Sequence, residues 1–376
     1  MLDRYGRRIH YLRVSVTDRC NLRCVYCMPQ QGVEWVAHSA VLSYEQLLRL
    51  VGLLARLGVD KVRLTGGEPL VRRDLAQLVR GIRSVEGIQS VSLTTNGVLL
   101  KQQLPGLMEA GLSGVNLSLD TLDRAQYAAI TRRDALDDAL QGLEAALAAP
   151  GLSVKLNCVP MGENDAQLVP LTALARDRDL AVRFIELMPI GLGSTLSRRS
   201  EAEVLQRLEA AYGPAAPAGR GDGAGPGRYV TFAGFAGRVG FISAMTHQFC
   251  GDCNRVRLTA TGFLKTCLQY EQGADLKALM EAGADDRTLL AAMERAILEK
   301  PACHHFSEGR SLGDEGKTMN QIGVPRPGRC CGRRSLWRKS GGGGLRFQIS
   351  AGRHQIPVQR RGAGADSDRQ TVPRTL

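Results

Sequence analysis

YLRVSVTDRCNLRCVYCMP, residues 11–29, joins a β-rich run to a loop that carries Cys20, Cys24 and Cys27. The run 11–16 is predicted to be a strand, and working outward from it the chain repeats one theme. Further strand candidates lie at 61–65, 90–95, 114–119, 154–159 and 181–186. Between them stand segments of helical periodicity such as 44–57, where Leu47, Leu50, Val51, Leu54 and Leu57 recur at three- and four-residue spacing. Six such units in series predict a parallel sheet wound with helices, either a partial barrel or an open doubly wound sheet. A parallel sheet carries its chemistry at the C-terminal ends of its strands. The unusual residues stand there: the three cysteines; Gly66, Gly67 and Glu68; Asn96 and Gly97; Ser118 and Asp120. That agreement favours a partial (β/α)6 TIM-type barrel of the α/β class.

Composition bounds the rest. With 376 residues, 44% of them apolar, the chain is long enough to bury a large core. No uninterrupted apolar stretch is long enough for a membrane span, and the polar, arginine-rich start lacks the apolar segment of a secretory signal, so a cytoplasmic protein is expected. Residues 323–376 hold twelve Lys and Arg against two Asp, most of the formal net charge of +12. The basic character therefore belongs to the tail. A Gly/Ala/Pro-rich stretch, 213–227, reads as a linker. The expected organisation is a barrel with its linker at 1–227, a smaller α+β module at 228–322 with helices near 274–282 and 287–298, and a disordered tail at 323–376.

Ten cysteines in a long chain without a signal point to metal ligands rather than to disulfides. Three thiolates, Cys20, Cys24 and Cys27, can hold three irons of a cubane and leave the fourth open to a substrate or cofactor. A structural zinc site is the alternative, but zinc wants a fourth ligand and none stands nearby. The C-x3-C-x2-C loop, with Tyr26 before its last cysteine, resembles the radical S-adenosylmethionine superfamily. That resemblance implies that the open iron chelates the amino and carboxylate groups of S-adenosylmethionine, which is cleaved to methionine and a 5′-deoxyadenosyl radical. Gly66, Gly67, Glu68 and Pro69 match the superfamily's GGEP element, whose glycines are expected to let the backbone approach the methionine moiety.

Cys250, Cys253 and Cys267 repeat the logic of an open cluster. A zinc ribbon short of one ligand, or completed by His247, is the competing reading. Arg255 and Arg257 flank Val256, so on an extended backbone both guanidinium groups face one side and suit phosphate oxygens. Arg13, Arg63, Lys155 and Arg183 lie on other strand candidates. Six cations in one cavity would need a polyanion, which a nucleoside triphosphate supplies.

The combination resembles the GTP 3′,8-cyclase family, the A proteins of molybdenum cofactor biosynthesis. It is carried by SVTDRCNLRCVYCMP, RLTGGEPLVRRD, LTTNG, NLSLD, RFIELM and FCGDCNRVRL, spread from Ser15 to Leu258. By position, the resemblance implies that Tyr26, Gly67, Ser118 and Met188 contact S-adenosylmethionine. It implies that Arg13, Arg63, Thr94, Lys155, Arg183, Arg255, Val256 and Arg257 contact GTP, and that two [4Fe-4S] clusters are bound. The implied reaction abstracts hydrogen from ribose C3′, joins that carbon to guanine C8, and returns an electron through the second cluster, whose open iron holds the guanine. An external electron donor and a downstream cyclic pyranopterin monophosphate synthase are implied as partners, with the enzyme a monomer or homodimer.

The chain departs from this family after Gly323. The family's second terminal glycine, which reaches into the active site, is Val324 here, and the basic tail follows. Valine disfavours backbone conformations open to glycine, so GTP cyclisation is expected to be weakened while S-adenosylmethionine cleavage survives. Cys158 and Cys303 are expected to be packing residues, Cys330 and Cys331 accidental neighbours, and His304 and His305 structural. A peptide- or cofactor-maturing radical enzyme with an auxiliary cluster is a second reading, against which the arginines argue. Nucleic-acid binding through the tail is a third, weakened by the absence of interleaved aromatics.

Overall fold

The computed structural model describes residues 1–219, 225–306 and 314. Val324, Cys330, Cys331 and the basic tail lie outside the described residues.

The predicted units are present in order. They are β1 (Tyr11–Ser15), α1 (Tyr44–Arg56), β2 (Lys61–Thr65), α2 (Leu75–Arg83), β3 (Ser90–Thr95), α3 (Leu100–Glu109), β4 (Gly114–Ser118), α4 (Arg124–Thr131), α5 (Leu136–Ala148), β5 (Ser153–Cys158), α6 (Leu168–Ala173), β6 (Ala181–Ile185) and α7 (Glu201–Tyr212). There follow β7 (Ala216–Ala218), β8 (Arg228–Thr231), β9 (Arg238–Ile242), β10 (Arg255–Leu258), β11 (Phe263–Lys265), β12 (Gly273–Asp275), α8 (Leu276–Glu281) and α9 (Asp286–Leu298). The start of α1 shows local sequence at work. Ser43 accepts from the Gln46 backbone while the Gln46 side chain accepts from Ser43 N, and Leu47, Leu50, Val51 and Leu54 bury one face.

The strands form one twelve-stranded sheet, ordered β12-β11-β10-β1-β2-β3-β4-β5-β6-β9-β8-β7. From β10 through β9 every neighbour is parallel; the pairs at both edges are antiparallel. The segment after the linker therefore builds no sheet of its own but extends the first sheet at both ends. The linker itself is not wholly irregular. Ala216–Ala218 forms β7 against β8, with Pro217 tolerated because an edge strand leaves one side unpaired.

Alternation along the strands decides what the sheet encloses. Leu12, Val14, Val62, Leu64, Val91, Leu93, Val115, Leu117, Leu156, Val182, Phe184, Val239, Phe241, Val256 and Leu258 belong to one buried apolar core. The opposite parity carries Arg13, Arg63, Ser92, Thr94, Asn116, Lys155, Asn157 and Arg183, all lining one cavity. Ile242 of β9 and Arg255 of β10, from opposite ends of the parallel run, line the same cavity, so the sheet curls around it. A closed (β/α)8 barrel fills its interior with branched apolar side chains. This curled sheet lines its interior with polar ones, which suits a ligand-holding barrel.

Candidate active site

The cavity has a volume of 480 Å³, within the usual range for small-molecule sites. Its cations are Arg13, Lys61, Arg63, Lys155, Arg183 and Arg255, and no aspartate or glutamate is among its described lining residues. Arg257, Arg13 and Arg63 occupy one row across β10, β1 and β2, paired in register. Burial first, then Arg257, holds Arg13 well below the ordinary arginine value. Burial and Arg255 bring Arg257 down to about 10. The Nε donors of Arg13 and Arg63 are buried and have no hydrogen-bond partner. Unpaired buried donors and crowded cations cost free energy that a bound polyanion offsets.

The far wall is better satisfied. Arg183, 7% exposed, donates to Asn157 Oδ1 through Nε at 2.9 Å and Nη2 at 2.5 Å. Its guanidinium stem has room because Gly240 lies opposite in the β6–β9 register; a Cβ there would meet Arg183 Cγ at 2.9 Å. Thr94, Asn116 and Lys155 pair along β3, β4 and β5. Val256 and Arg257 are the exceptions among the expected GTP contacts, since neither is among the cavity's described lining residues; Arg257 stands beside the lining residue Arg13 in register, whereas Val256 does not face the cavity. The Val256 side chain is fully buried in the core, so only its main chain could serve.

The two cysteine sets sit at opposite ends of this wall. Cys20, Cys24 and Cys27 follow the C-terminal end of β1. Cys253 stands two residues before β10, which runs parallel to β1 with Arg255 opposite Tyr11. Lys265 of antiparallel β11 pairs with Arg257, returning Cys267 to the same end as Cys253. A five-residue strand spans roughly 15 Å, and the arginine row lies between.

The first set is held by main-chain turns. The Cys27 N–H donates to Cys24 O at 2.9 Å, the Leu22 N–H to Cys20 Sγ at 3.4 Å, and the Tyr26 hydroxyl to Asp120 Oδ2 at 2.8 Å. Burial, then Cys27 and Asp120, pushes the Cys24 thiol well up, and burial lifts Cys20 to about 11. Crowded, buried thiols of this kind ionise readily only beside a cation. Among the described residues no group of three or more His, Cys, Asp or Glu is gathered tightly enough for a single metal ion. In a cubane each thiolate would meet a different iron, so three cysteines would leave one iron open.

The GGEP element also meets the first cysteine loop within the chain. A Cβ on Gly67 would meet Arg19 O at 2.2 Å, and one on Gly66, at φ +151°, would meet Thr17 O at 2.4 Å. The glycines thus permit close approach of the loop leading into Cys20, sealed by Gly67 N–H to Thr17 O at 2.9 Å and Glu68 N–H to Arg19 O at 2.8 Å. Glu68, 1% exposed, accepts from Leu70 N, Asn96 N and Thr95 Oγ1, while burial pushes its carboxyl up to about 7. Tyr26, Gly67, Ser118 and Met188 all stand at or beyond the C-terminal ends of strands, on the first cysteine set's side.

The second set has partners that sequence reading missed. Lys300, 3% exposed, donates through Nζ to Arg255 O at 3.1 Å and to Thr266 O. Burial pushes the Cys253 thiol up, but Lys300 and Arg255 outweigh it and hold it down at about 7. Arg7, ion-paired with Asp3 at 2.6 Å, donates to Cys250 O, Ala302 O and Pro301 O. Cys158 is buried as expected, whereas Cys303 is exposed, because its segment runs over the surface beside Cys250. His247 is exposed and contacts Glu201 rather than the cysteines. The missed cavity residues Ser92, Asn116 and Asn157 did carry a signal: polar side chains at alternate positions of central parallel strands, which are ordinarily apolar on both faces. A second cavity, 680 Å³ and bordered by Thr17–Arg19 and the start of α1, includes none of the expected site residues.

Two family models match the chain, Radical SAM superfamily over residues 14–175 and Molybdenum Cofactor Synthesis C over residues 180–306. Curated relatives agree in name. The GTP 3′,8-cyclase of Pelotomaculum thermopropionicum is 46% identical over 327 residues, covering 86% of this chain and 100% of that one. Those of Heliobacterium modesticaldum and Moorella thermoacetica are 45% and 43% identical, each again matching 86% of this chain and all of its own length.

Proposed function

The chain belongs to the GTP 3′,8-cyclase family, and from that premise we propose that its polar barrel holds GTP between two [4Fe-4S] clusters for S-adenosylmethionine-dependent cyclisation to the 3′,8-cyclised nucleotide. This is the first step of molybdenum cofactor biosynthesis. One observation carries the reading: a row of half-buried arginines, two of them with buried and unpartnered Nε atoms, borders a cavity with no acid among its described lining residues and lies between two cysteine sets at opposite ends of paired strands.

When bound, the first cluster and S-adenosylmethionine supply a 5′-deoxyadenosyl radical and the second cluster an electron path; the chain supplies position. Cys20, Cys24 and Cys27 would hold the first cluster, with Tyr26, Gly67, Ser118 and Met188 around S-adenosylmethionine. Cys250, Cys253 and Cys267 would hold the second. Arg13, Arg63, Lys155, Arg183, Arg255 and Arg257, with Thr94 and the Val256 main chain, would grip GTP. Orientation matters because a primary radical attacks almost any nearby C–H bond, and holding reactants in attack geometry is worth roughly 7–11 kcal/mol in favourable cases. Closing the cavity around the nucleotide would also keep water from the reacting carbon.

The division into a barrel carrying the first cluster and a 228–322 segment carrying the second is part of this proposal, as functional halves of one sheet. No helix of the described residues is long and apolar enough to cross a membrane. A cytoplasmic enzyme, monomer or homodimer, served by an external electron donor and followed by cyclic pyranopterin monophosphate synthase, completes the reading. An anaerobic assay of the reconstituted chain with GTP, S-adenosylmethionine and reductant tests it, beside a version ending in two glycines after Ile322. Cyclised nucleotide from either chain supports the function, with a faster shortened chain assigning the Val324 change and tail a damping effect. Cleavage of S-adenosylmethionine by both without any nucleotide product overturns it.

A further inference from the structure

Cys303 lies beside the second cysteine set, and its surroundings fix that placement from two directions. On one side, a single nitrogen of Arg7, Nη1, donates to both Cys250 O at 2.9 Å and Ala302 O at 2.8 Å, and the backbone N–H of His304 faces the Cys250 thiol. Both chain neighbours of Cys303 are therefore tied to Cys250. On the other side, the Tyr270 hydroxyl donates to Cys303 O at 3.0 Å, and the His305 N–H donates to Gln269 Oε1 at 2.7 Å. Gln269 and Tyr270 stand two and three residues after Cys267, so this short segment bridges the two loops that bear the cysteines.

We propose that Cys303 is a fourth thiol of the second cluster, taking the iron that Cys250, Cys253 and Cys267 leave without a protein ligand and yielding it to the incoming nucleotide. The inference rests on reading those three cysteines as cluster ligands. Three thiolates leave one iron of a cubane exchangeable. Cys303 is exposed, so its thiol loses its proton to solvent when it binds iron and regains one when displaced; no electron changes hands. Such a ligand would protect the open iron between turnovers.

Mild oxidation tests this directly. An iron that lacks a protein ligand leaves first, turning a four-iron cluster into a three-iron cluster with its own electron paramagnetic resonance signal. The reconstituted full chain, without nucleotide, is titrated anaerobically with ferricyanide beside Cys303→Ala. The expected yield is about one three-iron cluster per chain in the unaltered protein, from the first site, and about two in Cys303→Ala. Equal yields from the two chains overturn the assignment even where both cyclise GTP, and distinct yields sustain it even where neither does.

Discussion

Arg13 and Arg257 stand opposite each other on parallel strands, each depressed in basicity by burial and by neighbouring arginines. Two guanidinium groups kept so close, with the Arg13 Nε unpartnered, define where an anion belongs. Replacing Arg13 by Ala removes a charge-assisted contact worth roughly 1.5–3 kcal/mol, so the dissociation constant for GTP rises about 10- to 100-fold. Calorimetric titration with GTP measures it. An unchanged affinity would place the triphosphate elsewhere.

Gly67→Ala puts a methyl group against the Arg19 carbonyl and forces the loop before Cys20 outward. The first cluster should be lost and the second retained, so iron falls from about eight to about four atoms per chain. Full iron content in the variant would show that the loop yields without consequence.

Glu68 ionises at about 7 in the folded chain against an ordinary 4.5, because burial outweighs its hydrogen bonds. The folded state thus holds a proton that the unfolded state has released between those values. Stability falls as pH rises from about 4.5 to about 7 and levels above, by roughly 3 kcal/mol in all. Urea unfolding of the cluster-free chain at several pH values checks this. Glu68→Gln should lose this part of the slope, whereas identical slopes for both chains contradict the assignment.

Arg7 ties Asp3 to the carbonyls of Cys250, Pro301 and Ala302. Arg7→Met strands a buried Asp3 carboxylate and should cost about 3–5 kcal/mol in chemical denaturation. Adding Asp3→Asn should recover much of that cost but not the second cluster's iron, which needs the clamp. A double variant as unstable as the single one would mean that the carboxylate is not the source.

Much of this architecture is legible in the sequence where the signal is local. Strands at Lys61–Thr65 and Ser90–Thr95 match their expected limits, and β1, β4, β5 and β6 differ by a residue at one end or both, where strand ends fray into loops. The cysteine spacings and the Arg255–Arg257 alternation are likewise local. What stayed hidden is non-local. No pattern near Arg255 says that its strand pairs with β1, and nothing around Arg7, Lys300 or Cys303 says that they meet the second cysteine loop, since tertiary pairing alone brings them there. The reason for Gly67 was hidden in the same way, because the atom it avoids belongs to the loop at Arg19.

The central claim is that GTP sits with its ribose C3′ where the radical forms. Anaerobic turnover of the full chain on GTP carrying deuterium at C3′, with S-adenosylmethionine and a reductant, tests it most directly. The account predicts one deuterium in 5′-deoxyadenosine for each cyclised nucleotide formed. 5′-Deoxyadenosine free of deuterium, with GTP recovered unchanged, would contradict it.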